Sequence, residues 1–228
     1  MQQIEDFGKW NEAMAIKYNP DEYHNSKNFL IRWIERYRAR KILKLLDVQK
    51  DDKVLDLGCG AGNMLAQINK GDLYGVDISD FLLNLARQRN YQCPATIVKG
   101  DVENLPAEIS SRKYNKIFCS EVLEHVLNPE KVIDEILKVS DQNAVIVFSV
   151  PNEKLINQIK AIFLNLHIFS FFFPKISKHM TDEWHLREAD KAFLDKITKE
   201  KLLCRKVEGV PFGFMPLHVV AQYSILDK

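Results

Sequence analysis

The 228-residue sequence predicts an α/β chain: a doubly wound, mostly parallel sheet with helices on both faces. Three observations carry that prediction. From Lys53 onward, short apolar runs rich in β-branched residues alternate with stretches of helical periodicity. One run, Ala144–Val150, is apolar almost throughout, as a strand covered on both faces requires. Asp56, Asp77 and Asp101 stand at or near the ends of three successive predicted strands, and in a doubly wound sheet those ends line one crevice.

Residues Met1–Asn25 are polar with scattered aromatics (Phe7, Trp10, Tyr18, Tyr23) and read as an N-terminal cap. Lys27–Leu46 repeats apolar residues at helical spacing through Leu30, Ile34, Tyr37, Ile42, Leu45 and Leu46. Arg32, Arg36 and Arg40 fall on the other side and read as a solvated face. A strand is expected at Val54–Leu57, a loop at Gly58–Gly62 and a helix at Asn63–Asn69. Leu73–Val76 reads as a strand, and Asp80–Arg89 as a helix capped by Ser79 or Asp80. Thr96–Lys99 and Lys116–Ser120 are further strands. Asn128 stands where it can cap a helix Pro129–Val139, with proline in the first turn. After Pro151 the alternation pauses, and Glu153–Asp190 reads as an insertion whose first half is strongly apolar. A helix resumes at about Asp190–Glu200. Leu202–Val210 and His218–Leu226 then close as two strands across a turn-rich Pro211–Pro216. The expected organisation is a single domain, 1–228, with a helical cap over 1–46, a core over 53–152 and an insertion or lid over 153–190.

Composition narrows the class. Apolar residues make up 46% and charged residues 28%, which excludes collagen and wholesale disorder. Thirty-two Lys and Arg against 31 Asp and Glu leave +1, too little to draw nucleic acid or anionic membrane by net charge. The four cysteines form no C-x-x-C pair, which fits a reducing compartment, and a cytoplasmic protein is expected. The N-terminus lacks a signal pattern. The longest apolar run, Ala161–Phe173, is broken by Asn165, His167 and Ser170 and is too short to span a bilayer.

The chemistry sits first in Val54-Leu55-Asp56-Leu57-Gly58-Cys59-Gly60-Ala61-Gly62-Asn63. An apolar strand runs into glycines at every second position, which permit a sharp turn and close approach of a ligand. Asn63 stands where the dinucleotide fingerprint requires its third glycine, so a nicotinamide reading is disfavoured. In Tyr74-Gly75-Val76-Asp77-Ile78 the acid can accept bonds from both hydroxyls of a ribose. In Val98-Lys99-Gly100-Asp101-Val102 the acid can accept from an exocyclic amine, with Val102 packed on a flat base.

These motifs, in this order, resemble class I S-adenosylmethionine-dependent methyltransferases. VLDLGCGAG, YGVDIS, GDVENLP, CSEVLEHVLNPEKVIDEIL and AVIVFSVPN match the family's successive motifs over about Lys53–Asn152. The resemblance implies a Rossmann-like methyltransferase fold with seven strands, the last antiparallel. It implies S-adenosylmethionine as cofactor, with S-adenosylhomocysteine as product. Gly58, Cys59 and Gly60 would lie along the methionine part, and Asp56 would orient the loop and the cofactor's amino group. Asp77 would hold the ribose, Ile78 would flank the adenine, and Asp101 with Val102 would read it. Ser120 would border the same site, and Arg38 would meet the cofactor's carboxylate.

Glu121, Glu124 and His125 share one side of a helical turn, a donor set suited to a divalent metal such as Mg²⁺. Similar E-x-x-E-H segments occur in ubiquinone-pathway O-methyltransferases, the subgroup this sequence is most similar to, and in small-RNA 3′-end 2′-O-methyltransferases. The metal-free reading, in which Glu124 and His125 brace the cofactor loop, is preferred at this point. His125 and His185 are the candidates for general base. The expected reaction is methyl transfer to a hydroxyl, or an activated carbon, of a small or lipid-like acceptor. The rival is an RNA ribose 2′-O-methyltransferase or a partner-dependent methyltransferase subunit. SEVL follows the fourth strand where relatives that methylate exocyclic base amines carry N/D-P-P-Y/F, so the resemblance disfavours a DNA base N-methyltransferase. The basic helix lacks the aromatics of a stacking platform, so nucleic acid is disfavoured as a partner. The apolar run over 155–176, flanked by Lys154, Lys160, Lys175 and Lys178, is expected as packed core, as a lid over the acceptor, or as a peripheral membrane contact.

Overall fold

A computed structural model describes residues 6–167 and 183–226. The expected strand alternation folds into a seven-stranded sheet of order β3-β2-β1-β4-β5-β7-β6. Its strands are β1 (Lys53–Leu57), β2 (Asp72–Asp77), β3 (Ala95–Lys99), β4 (Tyr114–Ser120), β5 (Ser140–Pro151), β6 (Leu202–Phe212) and β7 (Met215–Ile225). The first five pair in parallel. β7 lies antiparallel between β5 and β6, so the last strand in sequence is the reversed one. Chain order reverses between β1 and β4, which opens a crevice at their C-terminal ends.

Both faces of the sheet are covered. Leu55, Leu57, Ile117, Ile146 and Tyr223 pack on one face with Ile133, Ile136 and Leu194. These helical residues belong to α6 (Pro129–Val139) and α8 (Lys191–Thr198). Val54, Phe118, Val147 and Val220 pack on the other face with Ala39, Ile42 and Leu46 of α3 (Phe29–Leu46). The inward residues of each strand alternate between the two clusters, as the two-residue strand period requires. A smaller cluster joins the N-terminal helices to the crevice. Ala15 and Tyr18 of α1 (Phe7–Tyr18) meet Ala61, Trp184 and Leu82, the last from α4 (Asp80–Arg87). The short α2 (Pro20–His24) and α5 (Ala107–Ser110) and the apolar α7 (Glu153–Asn165) complete the helices used below.

Three local expectations are corrected. The helix expected at Asn63–Asn69 is only a 3₁₀ turn, Leu65–Gln67. Ile68 returns at once to extended backbone and is buried, so few residues remain to nucleate a helix. Asn128 occupies the N-cap position of α6 but makes no side-chain cap. Its amide donates to Glu103 (2.8 Å), and the same carboxylate accepts from the Leu127 and Asn128 backbone N–H groups. The turn expected over Pro211–Pro216 is mostly strand, because β6 and β7 stay paired out to Phe212 and Met215. His179, and the apolar run from residue 168 to 176, lie outside the described residues. None of the helices among the described residues is long and apolar enough to cross a membrane.

Candidate active site

The crevice holds a cavity of about 770 Å³. Its first wall is the loop after β1. Gly58 and Gly60 sit at φ +74° and +51°, the left-handed region that glycine enters without strain. A side chain at Gly58 would also meet Val122 at 2.3 Å. The Gly58 and Cys59 N–H groups donate to the Val76 carbonyl (2.8 and 3.0 Å), and Gly60 N–H donates to Asp77 Oδ2 (2.8 Å). Asp77 Oδ1 accepts from the Ser79 N–H (2.9 Å), and Ser79 caps α4. One carboxylate therefore fastens the glycine loop to the start of a helix.

That wall is acidic. Asp56 is 2% exposed, and burial together with neighbouring Asp77 pushes its carboxyl well above the usual range. Burial also raises Asp77, against the N–H bonds it accepts. Asp101 accepts from the Glu103 N–H (2.8 Å), and burial raises it in turn. Among the described residues none of these three has a salt-bridge partner within 4.0 Å. A concave, buried cluster of carboxyls of this kind suits a ligand whose own positive charge would favour their ionised form. Asp56, Gly58, Cys59, Gly60, Asp77, Ile78, Asp101, Val102, Ser120 and Arg38, all singled out from sequence, border this one cavity.

The end of β4 separates two carboxylates three residues apart. Glu121 has φ +56°, a strained backbone for a non-glycine residue, held by its N–H bond to the Ser149 carbonyl (2.9 Å). Its Oε1 accepts from Ser149 Oγ (2.7 Å), and its Oε2 meets Arg38 Nη1 (3.0 Å) and His218 Nδ1 (3.0 Å). Burial would raise this carboxyl, but Arg38 and His218 hold it well below the usual carboxylate range. Arg38 also pairs with Glu35 through Nη2 (2.6 Å), while its Nε is buried without a partner. Both terminal nitrogens of Arg38 are thus engaged by Glu35 and Glu121, which the sequence transfer to the cofactor's carboxylate did not foresee.

The expected grouping of Glu121 with Glu124 and His125 is corrected. The ligand atoms that converge within 4.8 Å of one another belong to Glu124, His125 and His185. His125 Nδ1 donates to the Trp184 carbonyl (3.3 Å), and His185 Nδ1 to Glu153 Oε1 (2.6 Å). Each imidazole then keeps the lone pair on Nε2. The two rings stand 4.6 Å apart and nearly perpendicular. Burial, with His185 beside it, pushes His125 down to about 3, so it is neutral at pH 7. Glu124 is 1% exposed, its Oε2 has no hydrogen-bond partner, and burial and the Glu121 charge push its carboxyl well up.

The far wall is apolar. Leu30, Ile31 and Ile34 of α3, Ile156, Ile159 and Phe163 of α7, and Leu217 of β7 line it. Glu35, Ser149, Glu153, Trp184 and His218 are the site residues that sequence reading missed. Two left a signal. Glu35 stands three residues before Arg38, the i, i+3 spacing at which opposite charges meet on a helix. Glu153 is an acid just beyond the fifth strand, where Asp56, Asp77 and Asp101 also stand relative to theirs.

A profile of the methyltransferase domain family matches residues 48–201. The chain belongs to that family. Among curated relatives, the ubiquinone biosynthesis O-methyltransferase of Hydrogenovibrio crunogenus is 25% identical over 194 residues, 82% of this chain and 76% of that one. An uncharacterised 37.1 kDa transposon protein of Streptomyces fradiae is 32% identical over 120 residues, 49% of this chain and 33% of that one. The chain therefore spans from a third to three quarters of the length of these two relatives. Among solved structures, magnesium protoporphyrin IX methyltransferase from Synechocystis, with S-adenosylhomocysteine bound, superposes with TM-score 0.68 at 16% identity, covering 96% of this chain and 97% of that one. The plantazolicin methyltransferase BpumL, in complex with a triazolic desmethylPZN analogue and S-adenosylhomocysteine, superposes with TM-score 0.62 at 17% identity, covering 97% of each. At such identities the structures establish the fold alone. The family gives the chain a methyltransferase domain.

Proposed function

We propose that the chain transfers a methyl group from S-adenosylmethionine to a hydroxyl, or an activated carbon, of a small or lipid-like acceptor. The observation that carries this reading is a single cavity with an acidic, glycine-lined end, an apolar end, and Glu124, His125 and His185 on its wall. The O-methyltransferase named among the relatives supports the same reading. The cofactor's sulfonium and ammonium suit the acidic end. Asp77 would accept from the ribose hydroxyls, Asp101 and Val102 would read the adenine beside Ile78, and Asp56 would face the amino group. Gly58, Cys59 and Gly60 would lie along the methionine part, with Ser120 at its border. The buried Nε of Arg38 is the donor left for the cofactor's carboxylate.

The sulfonium is already reactive, so the protein's task is alignment and exclusion of water. As the S–CH₃ bond breaks and the O–CH₃ bond forms, the hydroxyl proton must leave. Neutral His125 offers an Nε2 lone pair at the wall for it, with the His185 ring beside it. The same three residues also fit a divalent cation. The fit rests on the unpartnered, buried Glu124 Oε2 and on two imidazoles whose Nδ1 bonds fix Nε2 as the free donor. A bound cation would lower the pKa of a coordinated hydroxyl and so ease loss of its proton. On this geometry we favour the metal reading, with His185 in place of Glu121 in its donor set.

Peripheral membrane contact through 155–176 remains part of the reading. α7 leaves Ile162 56% and Leu166 61% exposed. The deciding experiment follows S-adenosylhomocysteine release with alkyl- and prenyl-substituted phenols as acceptors, before and after chelation. Turnover that chelator abolishes and Mg²⁺ restores, with cofactor affinity unchanged, is expected. Turnover indifferent to chelator returns Glu124, His125 and His185 to proton transfer and bracing, and turnover with RNA alone removes the apolar acceptor.

A further inference from the structure

The stripe Arg32, Arg36 and Arg40 is exposed at Arg36 and Arg40, as the sequence suggests, and half-buried at Arg32. It forms one side of a groove of about 670 Å³, whose other side is Asn63, Gln67 and Arg89. Among the described residues no carboxylate lines the groove, and Asp21 behind it bonds Asn63 and Arg89. Three of the guanidiniums are held in place: Arg32 donates to the Ser26 carbonyl (2.7 Å), Arg89 to the Ala61 carbonyl (2.6 Å) and Asp21 (2.7 Å), and Arg40 to the Arg36 carbonyl (3.3 Å) while lying over the Tyr37 ring. Among the described residues, Arg89 alone of the four is ion-paired. Arg36 and Arg40 are exposed. Four guanidiniums facing one concavity repel each other, and an anion relieves that repulsion. His24, Trp33 and Asn63 border both this groove and the active-site cavity.

We propose that this groove is an anion site that holds a phosphate or diphosphate group carried by the acceptor. The guanidinium fork matches phosphate oxygens in pairs, and residues four apart on a helix repeat at about 6 Å along the axis, so neighbouring arginines reach one extended anion together. Past the shared border the surface becomes aliphatic: Leu30, Ile31 and Ile34 lead from the groove to Ile156 and Phe163. A ligand spanning both has a phosphorylated head and an apolar body. An RNA strand offers the phosphates but no apolar body, so an amphiphile is the better match. The proposal rests on the apolar-acceptor reading above and adds the headgroup to it.

The test is calorimetric titration of the full chain, saturated with S-adenosylhomocysteine, with inorganic pyrophosphate, farnesol, farnesyl diphosphate, phosphatidylglycerol vesicles and a short single-stranded RNA. The same titrations are run on Arg36→Gln/Arg40→Gln, whose side chains are exposed and outside the core. The wild type is expected to bind pyrophosphate, and to bind farnesyl diphosphate about tenfold or more tighter than farnesol. In the double variant that difference should collapse to less than about threefold, with S-adenosylhomocysteine affinity unchanged. Equal binding of farnesol and farnesyl diphosphate, or a difference that survives the substitutions, overturns the proposal. Arginine-dependent binding of RNA or vesicles without pyrophosphate or farnesyl diphosphate overturns it in favour of those anions. Pyrophosphate binding with no affinity for either farnesyl compound keeps the anion site but overturns the apolar acceptor, so the two failures are told apart.

Discussion

The two ends of the active-site cavity are built by different means. The cofactor end is made of backbone. Loops after β1, β2 and β3 are tied by main-chain N–H bonds to Val76 and Asp77, within a stretch of about fifty residues. The acceptor end is made of side chains from α3, α7 and β7, elements far apart in sequence that meet only when the sheet closes. A ligand common to a whole family is held by local geometry that many sequences can repeat. A ligand particular to one member is held by tertiary contacts that drift freely. Arg38 and Glu121 join the two ends, and the first way to break the comparison is to cut that joint.

Arg38→Met should have the largest effect. It leaves Glu35 and Glu121 buried without their cation, and uncompensated buried charge of this kind costs about 3–5 kcal/mol. Denaturant unfolding should show the loss as a lowered midpoint. A loss under about 1 kcal/mol would mean that the two acids take up protons or reach water instead. At the cofactor end, Asp77→Ala should weaken S-adenosylhomocysteine binding by about 1–3 kcal/mol by removing an acceptor of ribose hydroxyls. Because Asp77 also ties Gly60 to Ser79, stability should fall with it. Calorimetry that finds affinity unchanged removes Asp77 from the ribose.

The same contrast explains what the sequence could reveal. The parallel core was legible because Val54–Leu57, Leu73–Val76 and Ala144–Val150 carry their strand signal in their own residues. The cofactor candidates were legible because each stands in a short motif at a strand end. The partners of Glu121 were not: Arg38 lies 83 residues before it and His218 97 after it, a distance no periodicity spans. His185 was noticed, but its pairing with His125 needed the coordinates. The exposed arginine stripe is legible in the sequence, but Asn63, Gln67 and Arg89 across the groove are not, since a helical wheel shows which residues share a face and not what stands opposite.

The Glu121 joint also makes a pH prediction. Its carboxyl lies below the ordinary value in the folded chain, so it binds fewer protons there than when unfolded near its normal pKa of about 4.3. Its stabilising contribution is complete above that value and is lost as pH falls through the lower, folded one. The groups facing it are Arg38 and Glu35 from α3, His218 and Ser149 from the sheet, and Glu124 beyond it. Unfolding free energy measured against pH should fall on acidification in the wild type, and its gap over Glu121→Gln should narrow below about pH 4. A gap that is constant across that range would mean Glu121 is protonated throughout.

The smallest stability effect is expected at the rim of the acceptor end. Phe214, at the tip of the β6–β7 hairpin, is 86% exposed and, among the described residues, stacks on Phe212, with ring centroids 5.4 Å apart. Phe29 is 72% exposed, and Met215 beside the tip is 38% exposed and lines the cavity. Apolar surface of this kind contributes little to folding because it leaves water in neither state, so Phe214→Ser should shift stability by no more than about 0.5 kcal/mol. Its effect should appear on a surface that does remove it from water. If the acceptor enters from a membrane, Phe214 would dip into the interface with Ile162 and Leu166, and its loss should weaken association with anionic vesicles several-fold while cofactor affinity stays constant. Sedimentation of the wild type and the variant with such vesicles reads this directly. Equal association would place the entrance elsewhere on the rim, and a stability loss well above about 0.5 kcal/mol would show that the ring is covered in solution.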